Sequence, residues 1–135
     1  MEVKVITTDN AAKPGFSQGV KSPLSQAVQY GGLLYLSGQG PLDPQTNEFP
    51  TDVEAQTHAV MKNIINVLEA AGSSLDHVIK MNCYLRRIED FPKFNAIYNS
   101  YFPNQKPART TVEASPPRAG VDVEIEAVAY VPDNQ

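Results

Sequence analysis

Near the C-terminal end of the chain, apolar and charged residues alternate with the period of a β-strand. The apolar positions are Val121, Val123, Ile125, Ala127 and Ala129, and the charged positions between them are Asp122, Glu124 and Glu126. A period of two predicts a strand with one buried face. The run from Arg109 to Glu113 alternates as well, and residues 115–120, rich in Pro and Gly, connect the two runs. We therefore predict two strands, adjacent along the chain, whose arginine and carboxylates form the floor of a small polar pocket.

The N-terminal third of the chain predicts three more strands. A short strand is expected over residues 3–6, followed by a loop from Ala11 to Ser25. Strands over residues 26–30 and 33–38 flank the pair Gly31-Gly32, which is a hairpin signal because glycine accepts positive φ. Residues 33–36 are apolar without alternation, so we expect this strand to be covered on both faces.

A helical pattern begins after residue 51. One largely apolar stripe at helical spacing consists of Val53, Thr57, Val60, Met61, Ile64, Val67, Leu68 and Ala71. Thr51, with Glu54 three residues later, has the form of a capping box, and Gly72 is placed to end the helix. We interpret the stripe as core packing.

A strand over residues 76–85 and a second helix come next. The strand has two alternating sets, which are Ile79, Met81, Cys83 and Leu85 against Lys80, Asn82 and Tyr84. The first set is expected to face the core. Asp90 is placed to cap the second helix and Pro103 to stop it. The resulting order, β-β-β-α-β-α-β-β, predicts an α+β fold with two helices on one face of a mixed sheet. With 135 residues, a single domain spanning residues 1–135 is expected.

Composition and charge exclude several classes of partner. A formal net charge of -4 argues against nucleic-acid binding, which needs clustered Lys and Arg. No apolar run approaches the ~20 residues of a membrane span, and the first residues do not have the form of a signal peptide. Cys83 is the one cysteine, so no intrachain disulfide can form and a reducing compartment, the cytoplasm, is expected.

The residue patterns alone assign no reaction. His58 and His77 have no second His or Cys at ligand spacing, so no metal site is expected. Cys83 alternates with apolar neighbours and is expected to be a buried structural thiol. Ser37 lies in L-S-G-Q rather than G-x-S-x-G, and no phosphate-binding or other cofactor motif is present. The charges at Glu124 and Glu126 also fit a strand with one solvent-facing side.

Five segments together resemble the YjgF/RidA family of imine deaminases. They are S-P-L-S-Q-A-V (residues 22–28), L-Y-L-S-G-Q (34–39), F-N-A-I-Y-N-S-Y-F (94–102), P-A-R-T-T-V-E (107–113) and V-E-I-E-A-V-A (123–129). They follow the family's order and spacing over nearly the whole chain. The resemblance implies a chorismate-mutase-like fold, no cofactor, and a homotrimer whose pocket lies in the cleft between subunits. The family has also been described as ribonucleases or translation inhibitors, which the acidic composition disfavours.

The resemblance also implies roles for individual residues. Arg109 would hold the carboxylate of a small 2-imino acid, a task that suits a planar guanidinium. Glu124 would position the water that attacks the C=N carbon, and Ser37 and Asn95 would line the pocket. For Ser37 and Asn95, hydrogen bonding to the local backbone is an equally open role. Backbone groups near Thr111 would contact the imine nitrogen.

Three positions depart from the family pattern. Leu24 stands where the family has a pocket tyrosine, Thr111 where it has a cysteine, and Pro117-Arg118 where it has Leu-Pro. The arginine itself is retained. The departures therefore affect which substrate side chain the pocket accepts more than the type of reaction.

The function implied is cofactor-free hydrolysis of small 2-imino or enamine acids to 2-keto acids and ammonia. Binding the anionic end, polarising the imine and presenting water are tasks of positioning and electrostatics. Two alternatives stay open. One is deamination of a larger, aminomuconate-type acid, which Leu24 and Thr111 would accommodate. The other is a non-catalytic regulatory module that binds a small carboxylate through Arg109.

Overall fold

The computed structural model describes residues 2–13 and 22–133, and these form a mixed sheet with two α-helices. The strands are β1 (Lys4–Ile6), β2 (Ala27–Tyr30), β3 (Leu33–Gln39), β4 (Val78–Leu85), β5 (Ala108–Glu113) and β6 (Val123–Tyr130), and the helices are α1 (Val53–Ala70) and α2 (Phe91–Ser100). Short 3-10 turns, Leu75–His77 and Ile88–Asp90, precede β4 and α2. The predicted order of elements is confirmed. Of the predicted loop over residues 11–25, residues 14–21 lie outside the described residues.

The six described strands form one sheet in the order β1-β2-β3-β6-β4-β5. Neighbouring strands are antiparallel except β4 and β5, which are parallel. The hairpin between β2 and β3 turns at Gly31, whose φ of 61° is the positive value that a tight hairpin requires. Parallel strands need a crossover connection, and here α2 provides it. The predicted mixed sheet is therefore confirmed.

Both helices pack on one face of the sheet and enclose the core. Side chains of the central strands that face the helices, such as Leu34, Met81 and Ile125, are fully buried. The apolar stripe of α1 is buried from Val53 to Leu68, and Phe94 of α2 joins the same cluster. Burying one large aliphatic or aromatic side chain contributes roughly 1.5–3 kcal/mol. This shared cluster, rather than helix propensity, holds the two helices on the sheet.

The predicted capping box of α1 is wrong by one residue. Asp52, not Thr51, is the N-cap, and its carboxylate accepts a hydrogen bond of 3.2 Å from the Ala55 amide. Aspartate caps at least as well as threonine, and its charge is favourable at a helix N-terminus. At the other end, Gly72 takes a φ of +80° and ends the helix as predicted.

Ile79 does not face the core as predicted. Its side chain is 41% exposed, whereas Val78 is fully buried. The register between β4 and β6 shifts between Val78 and Lys80, and such an irregularity moves one residue out of the alternation. Val78 therefore takes the core position expected for Ile79.

Asp122 is buried, although the alternation places it on the polar face. Strand β6 begins only at Val123, so Asp122 belongs to the connector before it. Its carboxylate turns towards two guanidinium groups, with Oδ1 3.7 Å from Arg86 Nε and Oδ2 3.4 Å from Arg87 Nη2. Asp122 is therefore part of a structural ion-pair network that holds the start of β6.

The face of the sheet opposite the helices is uncovered within the described chain. The strand register places Val5, Val28, Tyr35 and Val128 side by side in one row across four strands. Tyr35 is 48% exposed and Val5 58% exposed. The prediction that β3 is covered on both faces is therefore not met within one chain.

Candidate functional site

Arg109 lies on the edge strand β5, and its guanidinium lies over two aromatic rings of α2. The Cζ atom is 4.7 Å from the ring centroid of Tyr98 and 5.6 Å from that of Phe91. Arg109 pairs in register with the buried Met81, so it is on the helix side of the sheet. No carboxylate of the described chain pairs with it. Aromatic faces, rather than an anion, therefore hold this cation.

Four polar atoms on this side of the sheet edge are buried and have no hydrogen-bond partner within the described residues. They are Arg109 Nη1, Asn95 Oδ1, Tyr98 Oη and Thr111 Oγ1. Asn95 shares a face of α2 with Phe91 and Tyr98, because the three are spaced as neighbours on a helix. Folded proteins pair roughly 90% or more of their buried polar groups. A group of unpaired atoms beside an uncompensated arginine is therefore a candidate site for a polar ligand.

The side chains beneath Arg109 carry no charge that would neutralise it. Burial raises the pKa of the Cys83 thiol to about 12, against smaller lowering effects of the Arg109 charge and the Thr111 hydroxyl. Thr111 Oγ1 has no hydrogen-bond partner among the described residues. Burial also raises the pKa of Tyr98. At neutral pH both groups are protonated, so Cys83 is a buried structural thiol, as predicted, and supplies no thiolate nucleophile.

An open pocket of about 300 Å³ leads to Arg109 from the end of α2. Its lining consists of Tyr98, Asn99, Phe102, Lys106, Pro107 and Arg109. Lys106 Nζ donates a hydrogen bond of 2.8 Å to the carbonyl of Phe102, which fixes the second cation at the rim. The volume is at the lower end for small-molecule sites. Size and charge together suit a small organic anion.

Glu124 projects from the opposite face of the sheet. A Cβ atom at residue 38 would lie 2.5 Å from Glu124 Oε2, so the carboxylate occupies space that Gly38 leaves free. The neighbouring Glu126 accepts hydrogen bonds from Tyr84 at 2.9 Å and from Asn82 at 3.3 Å. Glu124 accepts none within the described residues. Burial, with a smaller contribution from Glu126, raises the pKa of Glu124.

A second open pocket, of about 280 Å³, lies beside Glu124. Leu24, which is 53% exposed, forms part of its wall, and so does Arg118. Ser37 is tied to the backbone nearby, because its Oγ donates a hydrogen bond of 2.7 Å to the carbonyl of Ser25. Ser37 therefore fixes the segment that carries Leu24.

The structure brings the predicted site residues together in two groups rather than one. Arg109, Asn95 and Thr111 lie on the helix side at the edge of the sheet, while Leu24 and Glu124 line the second pocket. Strand β4 separates β5 from β6, so the expected pocket floor on two adjacent strands is wrong. Sequence adjacency does not determine strand order when a crossover connection places a parallel strand at the edge.

Two aromatic residues beneath Arg109 were not singled out by the sequence. The apolar pattern of α2 places Tyr98 in the core and gives no sign that its ring also supports an arginine. The available signal is the spacing of Phe91 and Tyr98 around Asn95, which puts a polar residue between two rings on a helix face. Gly38 was likewise missed, and only its approach to Glu124 shows why a side chain does not fit there.

His58 and His77 have protein partners. The Nδ1 atom of His58 shares a hydrogen bond of 2.7 Å with the Tyr101 hydroxyl, and Nδ1 of His77 shares one of 3.0 Å with the Ser74 hydroxyl. Across residues 2–13 and 22–133, no group of three or more His, Cys, Asp or Glu is placed to hold a metal ion. In the same ranges, no helix combines the length and apolarity needed to cross a membrane.

A six-stranded mixed sheet with two helices on one face is the chorismate-mutase-like α+β arrangement. Residues 17–131 match the family model described as Endoribonuclease L-PSP. The chain is 46% identical over 128 residues to a RutC family protein of Pyrococcus horikoshii, covering 94% of this chain and 97% of that one. The chain therefore belongs to the Rid family, the YjgF/RidA family that its motifs resemble.

Solved structures of this family have the same fold. YyfA from Yersinia pestis, of the conserved Rid protein family, matches with a TM-score of 0.86 and 40% identity, covering 96% of this chain and 100% of that one. TdcF from E. coli, solved with bound serine, matches with a TM-score of 0.84 and 33% identity, covering 94% and 98%. The likeness extends over the sheet and both helices that carry the two groups of site residues.

Proposed function

We propose that this protein hydrolyses small 2-imino or enamine acids to 2-keto acids and ammonia, without a cofactor, and that Arg109 holds the substrate's carboxylate. One observation carries the proposal. The Arg109 guanidinium is held by aromatic faces, is not neutralised within the described chain, and opens onto a pocket of about 300 Å³. A planar guanidinium binds a carboxylate through two parallel charge-assisted hydrogen bonds. The serine bound to the relative TdcF carries such a carboxylate, which supports the same class of ligand here.

Glu124 is the general base of the proposed reaction. A water oxygen bonds to the C=N carbon, and Glu124 takes a proton from that water and delivers it to the nitrogen. The resulting carbinolamine passes its hydroxyl proton to the nitrogen, the C–N bond breaks, and the keto acid and ammonia leave. The raised pKa of Glu124 suits this role, because it makes the carboxylate a stronger base that can also return the proton.

A homotrimer would bring the two groups of site residues together. In one chain Arg109 and Glu124 lie on opposite faces of the sheet, so a small substrate does not reach both. We propose that Arg109 of one copy meets Glu124 of the next across a cleft between subunits. The exposed row that includes Val5 and Tyr35 supports a packed interface, because contiguous apolar surface of this kind is usually buried. The number of subunits follows the family resemblance.

Light scattering at micromolar concentration tests the assembly. We expect a mass three times that of one 14.8 kDa chain. Tyr35→Glu would put a charge into the exposed apolar row and should lower the mass towards one chain. Lys62→Glu, on the exposed side of α1, is the matched control and should not. A single-chain mass for the unaltered protein would contradict the trimer.

Semicarbazone trapping tests the reaction. An amino-acid oxidase generates 2-imino acids in situ, and catalytic amounts of this protein should suppress semicarbazone formation from at least one of them. Arg109→Ala should abolish the effect, whereas Lys93→Ala, an exposed cation on α2, should retain it. If no imine from alanine to leucine size responds, and only stoichiometric protein has an effect, a small-carboxylate-binding module replaces the enzyme. Bulkier imines in the same assay test the aminomuconate-type alternative.

Mixing two inactive variants tests whether the site is shared between copies. Arg109→Ala and Glu124→Gln should each be inactive alone. Co-expressed in equal amounts, they should recover about one quarter of full activity. In a randomly assembled trimer, about half of the copies supply an intact Arg109 to a cleft and about half supply an intact Glu124, so about one quarter of the clefts have both. A single-chain site would show no recovery, since every chain then lacks one of the two groups.

The name of the family model raises RNA cleavage as a rival function. The net charge of -4 gives RNA little general attraction. RNA binding weakens steeply as salt rises, whereas hydrolysis of a small acid should depend on salt only weakly. Activity on imines that persists between about 50 and 200 mM salt, with no cleavage of RNA, would favour the imine reaction.

We also propose that the protein acts in the cytoplasm. Cys83 is the one cysteine of the chain and is buried, which suits a reducing compartment. Fractionation of cells that express a tagged form of this chain tests this. Recovery with secreted or membrane fractions would contradict it.

A further inference from the structure

Arg118 lies in the wall of the pocket beside Glu124, at a position where the family pattern has Leu-Pro. It lines this pocket of about 280 Å³ together with Leu24. No carboxylate of the described chain pairs with its guanidinium. An exposed arginine is ordinarily a solvated surface charge, so the location of Arg118 alone does not identify it as a ligand-binding residue. The way the protein supports this side chain is more informative.

The backbone that carries Arg118 is held by two polar side chains. Arg86 donates hydrogen bonds to the carbonyls of Arg118 and Val121, at 2.9 and 3.0 Å. Gln56, which is fully buried, donates one of 2.8 Å to the carbonyl of Gly120. The connector between β5 and β6 is thereby hydrogen-bonded both to α1, through Gln56, and to Arg86, the residue that follows β4. The backbone from which the Arg118 side chain projects is therefore held in place.

The guanidinium of Arg118 also has a fixed aromatic support. Its Cζ atom lies 5.7 Å from the ring centroid of Phe49. That ring packs on Gly120, where a Cβ would lie 3.3 Å from it and where φ is +86°, a conformation that glycine adopts without strain. A stacked arginine is partly ordered before any ligand arrives, which lowers the entropy it loses on binding.

We propose that Arg118 binds a second carboxylate, at the far end of the substrate's side chain, and that the preferred substrates are 2-imino diacids. This inference rests on the proposed function, in which Arg109 of a neighbouring copy holds the first carboxylate. Leu24 supplies an apolar wall that suits a short methylene chain. Lys13 also lines the pocket but already pairs with Asp9, Nζ to Oδ1 at 3.1 Å. Among the described residues that line this pocket, Arg118 is therefore the cation without an anionic partner.

The negative charge of Glu124 limits where the second carboxylate can lie. Two carboxylates close together repel each other, so a substrate anion is favoured only on the Arg118 side of the pocket. Arginine binds a carboxylate through its planar fork, and lysine at the same position would be a poorer substitute. Discrimination between a diacid and a monoacid should therefore depend on this one guanidinium.

Competition between two imines tests the proposal. The imines are generated from glutamate and from leucine, and the measured quantity is the ratio of kcat/KM for the diacid to that for the monoacid. Arg118→Gln should lower this ratio about tenfold, a modest figure because the guanidinium is solvent-exposed. Lys62→Gln removes the same charge from the exposed side of α1 and should leave the ratio within about twofold. An unchanged ratio in Arg118→Gln overturns the proposal.

Direct binding separates failure of this proposal from failure of the proposed function. If neither imine is hydrolysed, the hydrolase proposal fails, and calorimetric titration with glutarate and with valerate then tests Arg118 alone. These two acids have chains of equal length and differ in the second carboxylate. Tighter binding of glutarate that is lost in Arg118→Gln supports the second-carboxylate site. Equal binding of the two acids overturns it.

Discussion

Replacing Arg109 with Lys tests whether this residue binds a carboxylate by geometry or by charge alone. Lysine keeps the positive charge but has no planar fork, so one of two parallel charge-assisted hydrogen bonds is lost. Losing one such bond, at ~1.5–3 kcal/mol, corresponds to roughly 10- to 150-fold in kcat/KM if it is felt in the transition state. A purely electrostatic role would survive the change with modest loss.

The structure limits how much stability the same change should cost. The Arg109 guanidinium stacks on Tyr98 and Phe91 at 4.7 and 5.6 Å and forms no ion pair within the described chain. A lysine ammonium keeps part of the cation–π attraction, which at a partly exposed site is worth about 0.5–1 kcal/mol. The free energy of unfolding should therefore fall by at most ~1 kcal/mol, a few degrees in Tm.

Both quantities should be measured on one preparation, by initial rates with semicarbazone trapping and by thermal unfolding. Arg87→Lys is the matched control, because Arg87 is a partly exposed arginine that pairs with Asp90 and Asp122 away from the pocket. It should keep full activity. Retained activity with an unchanged Tm in Arg109→Lys would refute the carboxylate clamp at this residue.

Three further predictions concern Tyr98, Glu124 and Asp122. Tyr98→Phe removes a buried hydroxyl that has no partner among the described residues and should raise the free energy of unfolding by ~1 kcal/mol in urea titration. Tyr98→Leu should lower kcat/KM roughly tenfold by removing the aromatic face beneath Arg109. In a single chain the pKa of Glu124 is raised above its ordinary 4.5, so its ionisation costs stability as the pH rises from that ordinary value through the raised one. In the single-chain Tyr35→Glu background, the Tm advantage of Glu124→Gln should therefore grow as the pH rises above 4.5. Asp122→Asn should cost roughly 1–3 kcal/mol in urea titration, because Arg86 then lacks its counter-charge; a cost near zero would contradict this.

The type and order of the elements could be predicted because each has one apolar face with a clear period. The stripe of α1 and the alternation of β6 are examples. Boundaries were less certain where two adjacent residues compete for one role, as Thr51 and Asp52 do at the start of α1. The exposure of Ile79 could not be predicted, because it results from a register shift against β6, a strand more than forty positions away.

The site was predictable only in part, for a related reason. Arg109 and Glu124 could be named through the family motifs, since each lies in a short segment of recognisable sequence. Their placement on opposite faces could not be predicted, because it depends on the register in which β5 and β6 each pair with β4, Arg109 with Met81 and Glu124 with Tyr84. The aromatic support from Tyr98 was also hidden, since one ring can pack in the core and hold a cation over its face.

The separation of Arg109 from Glu124 in one chain affects the pKa of Glu124, the proposed general base. Side by side in one chain they would form an ion pair, which would occupy the guanidinium and lower the pKa of the carboxyl. Instead the guanidinium has no anionic partner within residues 2–13 and 22–133, and burial raises the pKa of Glu124. In the proposed cleft, an unoccupied Arg109 from the next copy should pull that pKa down, and a bound substrate carboxylate should cancel this effect.

The last prediction follows from that compensation and concerns the pH dependence of turnover. The acid-side pKa seen in kcat/KM, which reports the free enzyme, should lie below the one seen in kcat, which reports the substrate complex. Substrate binding would then make Glu124 a better base at the moment it is needed. The test compares both pH profiles for the best imine substrate, with Glu126→Gln as the control for the neighbouring charge. Equal values, or a higher value in kcat/KM, would show that Arg109 and Glu124 do not influence each other across a shared cleft.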